Sequence, residues 1–275
     1  MITFPNAKIN LGINIVNKRV DGYHNIETLF YPIDLCDILE IEISDHTALT
    51  IVGREIEGDV EANLVMRALR HMQRSYAVPE MRITLDKQIP MGAGLGGGSA
   101  DAAFTLKMVN DICHLQLTDE QLAEAAVTLG ADCPFFIYNR PMLASGIGDT
   151  LTPSRVNLDG YHLALIKPDI HVATADAYRG CTPAPWATPL SDIVKTPISE
   201  WRHTLVNDFE RQVFANHPTL LSIKNMLYDM GATYASMSGS GSSIYGLFTS
   251  TPTATDINDR LKTIRTATNS FIHIE

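Results

Sequence analysis

The chain has 275 residues, 45% of them hydrophobic and 19% charged, which supplies a packed core and lacks the composition of a disordered chain. Its formal charge is −10, from 31 acidic and 21 basic residues, which argues against a surface that tracks nucleic-acid phosphates. Cys36, Cys113, Cys133 and Cys181 form no C-x-x-C pair, the first residues do not read as a signal peptide, and no apolar run reaches the roughly 18 residues of a membrane span, so a soluble cytoplasmic protein with reduced thiols is expected.

In chain order, Ile9, Leu11, Ile13 and Ile15 alternate with Asn10, Gly12 and Asn14, the period of a half-buried strand with Lys8, Asn10 and Asn14 on its other face. Asp21-Gly22-Tyr23-His24 signals a turn, and Leu39, Ile41 and Ile43 alternate with glutamates as a second strand. Asn63 caps a helix that carries Leu64, Ala68, Met72 and Tyr76 on one face. Met81, Ile83 and Leu85 mark a strand that runs into a glycine-rich stretch, followed by a helix from about Ala100. Thr118 and Gln121 form a capping box for a helix that stops at Gly130, and Asp132 then lies in a short loop before an apolar segment read as a strand. Past residue 150, Pro- and Thr-rich loops at 181–197 separate strands such as Leu163–Ile166 and Ile244–Phe248 from helices near 218–230 and 252–266. Strands and helices that mix without strict alternation predict an α+β protein with a boundary near 150.

The strongest local signal is Pro90-Met91-Gly92-Ala93-Gly94-Leu95-Gly96-Gly97-Gly98-Ser99-Ala100. Five glycines in seven positions let backbone N–H groups converge on one point, and the helix that follows adds its positive end, so the loop suits phosphate. Ser99 can cap the helix or offer its hydroxyl to phosphate or Mg²⁺. The loop is not a Walker A motif, because Gly98 is followed by Ser99 and not by Lys. Gly92, Gly94 and Gly97 match G-x-G-x-x-G in form, but Asp111, at the right distance for a dinucleotide fold, ends a helix with no strand before it. Protein-kinase signatures are absent as well.

Three segments in order resemble the motifs of the GHMP kinase superfamily. They are the strand at Lys8, the loop at Pro90–Asp101, and Ser238-Gly239-Ser240-Gly241-Ser242-Ser243 before an apolar strand. Ala7-Lys8-Ile9-Asn10-Leu11, Asp21-Gly22-Tyr23-His24, Leu129-Gly130-Ala131-Asp132-Cys133-Pro134-Phe135-Phe136 and Asn207-Asp208-Phe209-Glu210 are similar to the branch that acts on a cytidine diphosphate-linked polyol. Ala93 and Ala100 depart from the pattern, and Ala100 removes one hydroxyl from the loop.

The resemblance implies a two-domain GHMP kinase fold, α+β in class. It would have an N-terminal ribosomal-protein-S5-domain-2-like domain (1–150, ATP-binding and catalytic), a C-terminal ferredoxin-like α/β sandwich (151–275, substrate-binding), and an active site in the cleft between them. It implies ATP and Mg²⁺ as cofactors, with Ser99 nominated for the metal, and a small-molecule acceptor bearing a cytidine diphosphate. Asp132 would serve as base, with Lys8 beside it holding it ionised. The run Pro90 to Ala100 would hold the nucleotide. Asn63 and Lys87 match positions near its base and ribose, although Asn63 also reads as a plain N-cap and Lys87 as an exposed strand-end lysine. Tyr23, His24 and Tyr178 would sandwich or read the cytosine, Thr174 would bond in the same pocket, and Asn10, Gly239 and Gly241 would line the acceptor side. Mevalonate, homoserine or sugar acceptors, a catalytically dead nucleotide binder and a Rossmann oxidoreductase are the alternative readings.

Overall fold

The computed structural model describes residues 1–55, 58–264 and 270–275. Its strands are β1 (Ile2–Thr3), β2 (Asn6–Lys18), β3 (His24–Cys36), β4 (Ile38–Ile43), β5 (Ala48–Gly53), β6 (Met81–Lys87), β7 (Met142–Ser145), β8 (Thr150–Pro153), β9 (His162–Lys167), β10 (Tyr234–Met237), β11 (Ile244–Phe248) and β12 (Phe271–Ile274). Its α-helices are α1 (Leu64–Ser75), α2 (Gly97–Ile112), α3 (Asp119–Val127), α4 (Cys133–Tyr138), α5 (Thr174–Arg179), α6 (Leu190–Ile193), α7 (Trp201–Thr204), α8 (Glu210–Asn216), α9 (Pro218–Asp229) and α10 (Ala254–Leu261). The expected helix at 252–266 is therefore seen as α10, and its last two positions fall outside the described residues.

The chain divides into two compact units that interleave along the sequence. The first comprises 1–8, 32–91 and 96–140; the second comprises 9–31, 92–95 and 141–275. In the first unit a sheet of order β1-β4-β6-β5 is antiparallel except for the β5–β6 pair. Alternation sends Leu39 and Ile41 of β4, and Met81, Ile83 and Leu85 of β6, into the core, while α1 packs against α2 and buries Val65, Ala68, Leu69 and Met72. The predicted caps form here: Asn63 Oδ1 accepts from the Val65 N–H at 2.9 Å, and Thr118 and Gln121 make both bonds of the capping box.

The second unit holds the sheet β10-β11-β9-β12, antiparallel throughout. Its core joins Ala164 and Ile166 of β9 to Ile223 and Leu227 of α9 and Ile257 of α10. A third sheet has the order β2-β3-β7-β8. In β3, Thr28, Leu29 and Phe30 pair with Ala144, Leu143 and Met142 of β7, a pairing that ties residues far apart in sequence to one unit.

Two expectations need correction. The apolar run after Asp132 is the helix α4 and not a strand. Pro134 in its first turn has no N–H to lose there and its fixed φ suits a helix, so a short run that periodicity leaves ambiguous becomes helical. The strand β2 is not half-buried either: Asn6 through Ile15 are all buried, Lys8, Asn10 and Asn14 included. Each of those polar side chains has a partner that makes its burial tolerable.

Candidate active site

In the first unit the Lys8 ammonium, almost fully buried, lies 3.6 Å from Asp132 Oδ2, and the Asp132 side chain remains 36% exposed. Asp132 sits immediately before α4, whose Cys133, Phe135 and Phe136 are anchored in the core, so a rigid element presents its carboxylate. Burial pulls the Lys8 pKa down, and the Asp132 charge opposes that pull. One partner is thus desolvated and fixed while the other keeps an open side.

The glycine-rich loop meets this pair at the start of α2. Gly96 has φ of 72°, and a Cβ there would stand 2.8 Å from Phe136 Cζ and 3.3 Å from Lys8 Cε. Only a glycine lets the helix begin that close to the lysine. The positive end of a 16-residue helix therefore opens beside Lys8. Ser99 lies in the first turn of that helix, next to α4, where burial pushes the Cys133 thiol pKa up to about 11. Pro90, Ala93, Leu95 and Ala100 are buried and support the loop from within, whereas Met91 and Gly98 are exposed.

Lys87 is not the exposed strand-end lysine of one sequence reading. Its ammonium is buried at the end of β6, where it pairs with Asp37 and, at 2.8 Å, with Asp101 of α2. A Cβ on Gly97 would lie 2.9 Å from Nζ, so the loop backbone covers the charge, and the side chain is spent on structure before any ribose can use it. Asp37 also accepts the N–H groups of Gln88 and Ile89 through its other oxygen. Asn63 acts as the N-cap of α1.

In the second unit the Asn10 amide donates to Thr28 Oγ1 at 2.9 Å, and Thr28 passes its proton to the Gly12 carbonyl at 2.6 Å. Tyr245 donates its hydroxyl to the Asn10 carbonyl at 2.7 Å. The glycine loop reaches the Ser238–Ser243 segment at Gly94, whose φ of 76° and close approach to the Ser238 carbonyl leave no room for a side chain. Ser238 Oγ donates to the Gly94 carbonyl at 2.8 Å, and the Ser243 N–H donates to the Ala93 carbonyl at 3.3 Å.

His24 and Tyr178 come together: their rings stack with centroids 4.8 Å apart and planes 16° from parallel, and Tyr178 meets Phe209 edge-on. The two rings lie on each other rather than being held apart by the width of a base. Burial, then the nearby Lys18 charge, lowers the His24 pKa and favours the neutral ring. Thr174 Oγ1 is 3.0 Å from Ser240 Oγ, and Tyr23 is 63% exposed and stands outside the stack.

Asn207, Asp208 and Glu210 lie in one of the family-like motifs but carry no signal of their role in the sequence. Asn207 Nδ2 donates to the carbonyls of Met237 and Gly239, at 2.8 and 2.9 Å, and so holds the Gly239 turn. Asp208 accepts from Asn14 and from the Ile15 N–H, and Glu210 accepts from the Met237 N–H and pairs with Lys224. Among the described residues no helix is long and apolar enough to cross a membrane, no group of three His, Cys, Asp or Glu could hold a metal, and none of the four cysteines is in a disulfide.

Two family models match the chain: the GHMP kinases N terminal domain over residues 63–140 and the GHMP kinases C terminal over residues 191–264. The chain belongs to the GHMP kinase family. Its relatives include the 4-diphosphocytidyl-2-C-methyl-D-erythritol kinase of Parabacteroides distasonis, 54% identical over 90% of this chain and 92% of the relative. The enzyme of that name from Porphyromonas gingivalis is 52% identical over 92% and 93%. The crystal structure of a 4-(cytidine 5'-diphospho)-2C-methyl-D-erythritol kinase superposes with a TM-score of 0.80 at 29% identity, covering 100% of this chain and 98% of the other. Homoserine kinase from Cytophaga hutchinsonii, at 20% identity and a TM-score of 0.69 over 98% and 94%, shares the fold.

Proposed function

We propose that the chain transfers the γ-phosphate of ATP to the 2-hydroxyl of 4-diphosphocytidyl-2-C-methyl-D-erythritol, a step of the non-mevalonate route to isoprenoid precursors. The Lys8–Asp132 pair at the positive end of α2 carries the reading. Phosphoryl transfer asks a protein for a proton acceptor, an aligned hydroxyl and positive charge around the moving group. Asp132 accepts the hydroxyl proton through its open side. Lys8, too buried to leave, holds its ammonium 3.6 Å from the Asp132 carboxylate and faces the charge that develops on the attacking oxygen. The amides of the loop from Pro90 to Ser99 hold the nucleotide phosphates. Relatives at 47–54% identity over 90–92% of the chain support the choice of acceptor.

Mg²⁺ fits this site in a limited way. The described residues offer no carboxylate cluster, which suits an ion that keeps water and phosphate oxygens as most of its ligands. Ser99, in the first turn of α2, and the half-open Asp132 carboxylate would hold the ion. When bound with ATP the ion neutralises phosphate charge. At the cytidine end, His24, Tyr178 and Thr174 read the base and sugar, and Asn10, Gly239 and Gly241 line the acceptor side.

The test is ADP release by the purified chain with Mg-ATP and the cytidine acceptor, with homoserine, mevalonate and galactose in parallel. Turnover with the cytidine acceptor alone is expected, and turnover with another acceptor alone would overturn the assignment. Asp132→Asn should lower kcat roughly a hundred- to ten-thousandfold with little change in the KM for ATP.

A further inference from the structure

The ring of His171 lies over the start of the glycine-rich loop. A Cβ placed on Gly92 would be 3.3 Å from His171 Nδ1 and 3.5 Å from Cε1, so the imidazole covers the first glycine of the run on the side where a side chain would project. The residue is exposed, and no described residue makes a hydrogen bond or ion pair with its ring.

Its neighbours, by contrast, are fixed on both sides. The Ile170 carbonyl accepts from Ser242 Oγ at 2.5 Å and from Lys167 Nζ at 3.3 Å. Val172 is buried, and its Cγ2 lies 3.6 Å from where a Cβ on Gly241 would stand. Three residues on, Thr174 meets Ser240 at 3.0 Å, and α5 then carries Tyr178 to its stack with His24. A short segment clamped to the Ser240–Ser242 turn therefore holds a ring with two unused nitrogens against a phosphate-binding backbone. An imidazole N–H next to a concave row of amides adds a charge-capable donor that reaches past the backbone.

We propose that His171 is a binding residue for the acceptor's diphosphate, donating a ring N–H to a phosphate oxygen next to the cytidine. The proposal rests on the cytidine-diphosphate reading of the site. The acceptor's diphosphate is favoured over the phosphates of ATP because His171 shares its segment with Thr174 and Tyr178, the residues assigned to cytidine, and all three lie in the second compact unit.

Binding of CDP, CMP and cytidine to the wild type, to His171→Ala and to His171→Gln, measured by isothermal titration calorimetry, tests this without turnover. Steady-state KM values for acceptor and ATP give a second readout. In the wild type CDP should bind more tightly than cytidine. His171→Ala should weaken CDP and raise the acceptor KM about tenfold, the worth of one charge-assisted hydrogen bond at an open position, and leave cytidine and the ATP KM unchanged. His171→Gln keeps a donor and should recover part of the loss. Equal weakening of cytidine and CDP, or a rise confined to the ATP KM, would overturn the proposal. A wild type that turns over a different acceptor and ignores CDP would overturn the functional reading itself, a result distinct from a wild type that binds CDP equally well with and without His171.

Discussion

Replacing Lys87 by methionine should destabilise the protein far more than replacing Asp101 by asparagine. Lys87, Asp37 and Asp101 are each 2% exposed or less, and two carboxylates share one ammonium. Burial is the main reason the Asp101 carboxyl is pushed up to about 7, against the pull of Lys87 and with the help of the Asp37 charge. One Asp101 oxygen has no hydrogen-bond partner among the described residues. Lys87→Met leaves two buried carboxylates without their cation, a loss of about 3–5 kcal/mol. At roughly 2–4 °C per kcal/mol for a chain of this size, Tm should fall by about 10 °C. Asp101→Asn keeps the shape, removes the surplus charge and leaves Lys87 paired with Asp37, so its effect at neutral pH should stay within about 1 kcal/mol. Adding Asp101→Asn to Lys87→Met should then recover a good part of the lost stability, because only one unpaired carboxylate remains. Thermal unfolding of the three variants followed by circular dichroism is the assay. A Lys87→Met variant that melts within about 2 °C of wild type, or an Asp101→Asn variant that loses as much as Lys87→Met, would refute this account of the buried triad.

Tyr178→Ala should raise the acceptor KM about tenfold through loss of stacking at the cytidine end, with the ATP KM unchanged; steady-state kinetics with each substrate varied checks this. Asn207→Ala removes both bonds to the Met237 and Gly239 carbonyls and should cost about 2 kcal/mol, read as a lower urea midpoint. With its pKa pushed up to about 11 and its side chain buried, Cys133 holds about 0.1% thiolate at pH 8 and should resist iodoacetamide in the native protein, whereas the partly exposed Cys36 reacts. Peptide mapping by mass spectrometry distinguishes them, and native labelling of Cys133 would contradict its placement in the core.

Several local features could be read directly from the sequence because neighbouring residues set them. The alternation in β6 and at Leu39 and Ile41 of β4, the Asn63 cap and the Thr118–Gln121 capping box depend on backbone geometry over a few positions and form, whereas Ile43, the third apolar position of β4, is exposed at the strand's end. The glycine run could be read as a phosphate loop, since five glycines together have few other uses, and the motifs around it pointed to the family.

Other features depended on partners distant in the chain. Periodicity showed which β2 positions alternate, but only packing of both faces buried Lys8, Asn10 and Asn14 together. The short apolar run after Asp132 fitted either strand or helix, and its surroundings made it α4. Lys87 looks like any strand-end lysine until Asp37, 50 positions earlier, and Asp101, 14 later, are brought to its ammonium. His171 carried no motif; its place over Gly92 exists only because Ser242 and Gly241, some 70 positions later, hold its neighbours. The sequence by itself determined the local conformations and the kinds of groups available for phosphoryl transfer. Which charges are buried, which pairs meet and which side chains cover the loop were decided by tertiary packing, because burial and long-range contact belong to the whole chain and leave no periodic trace in any one segment.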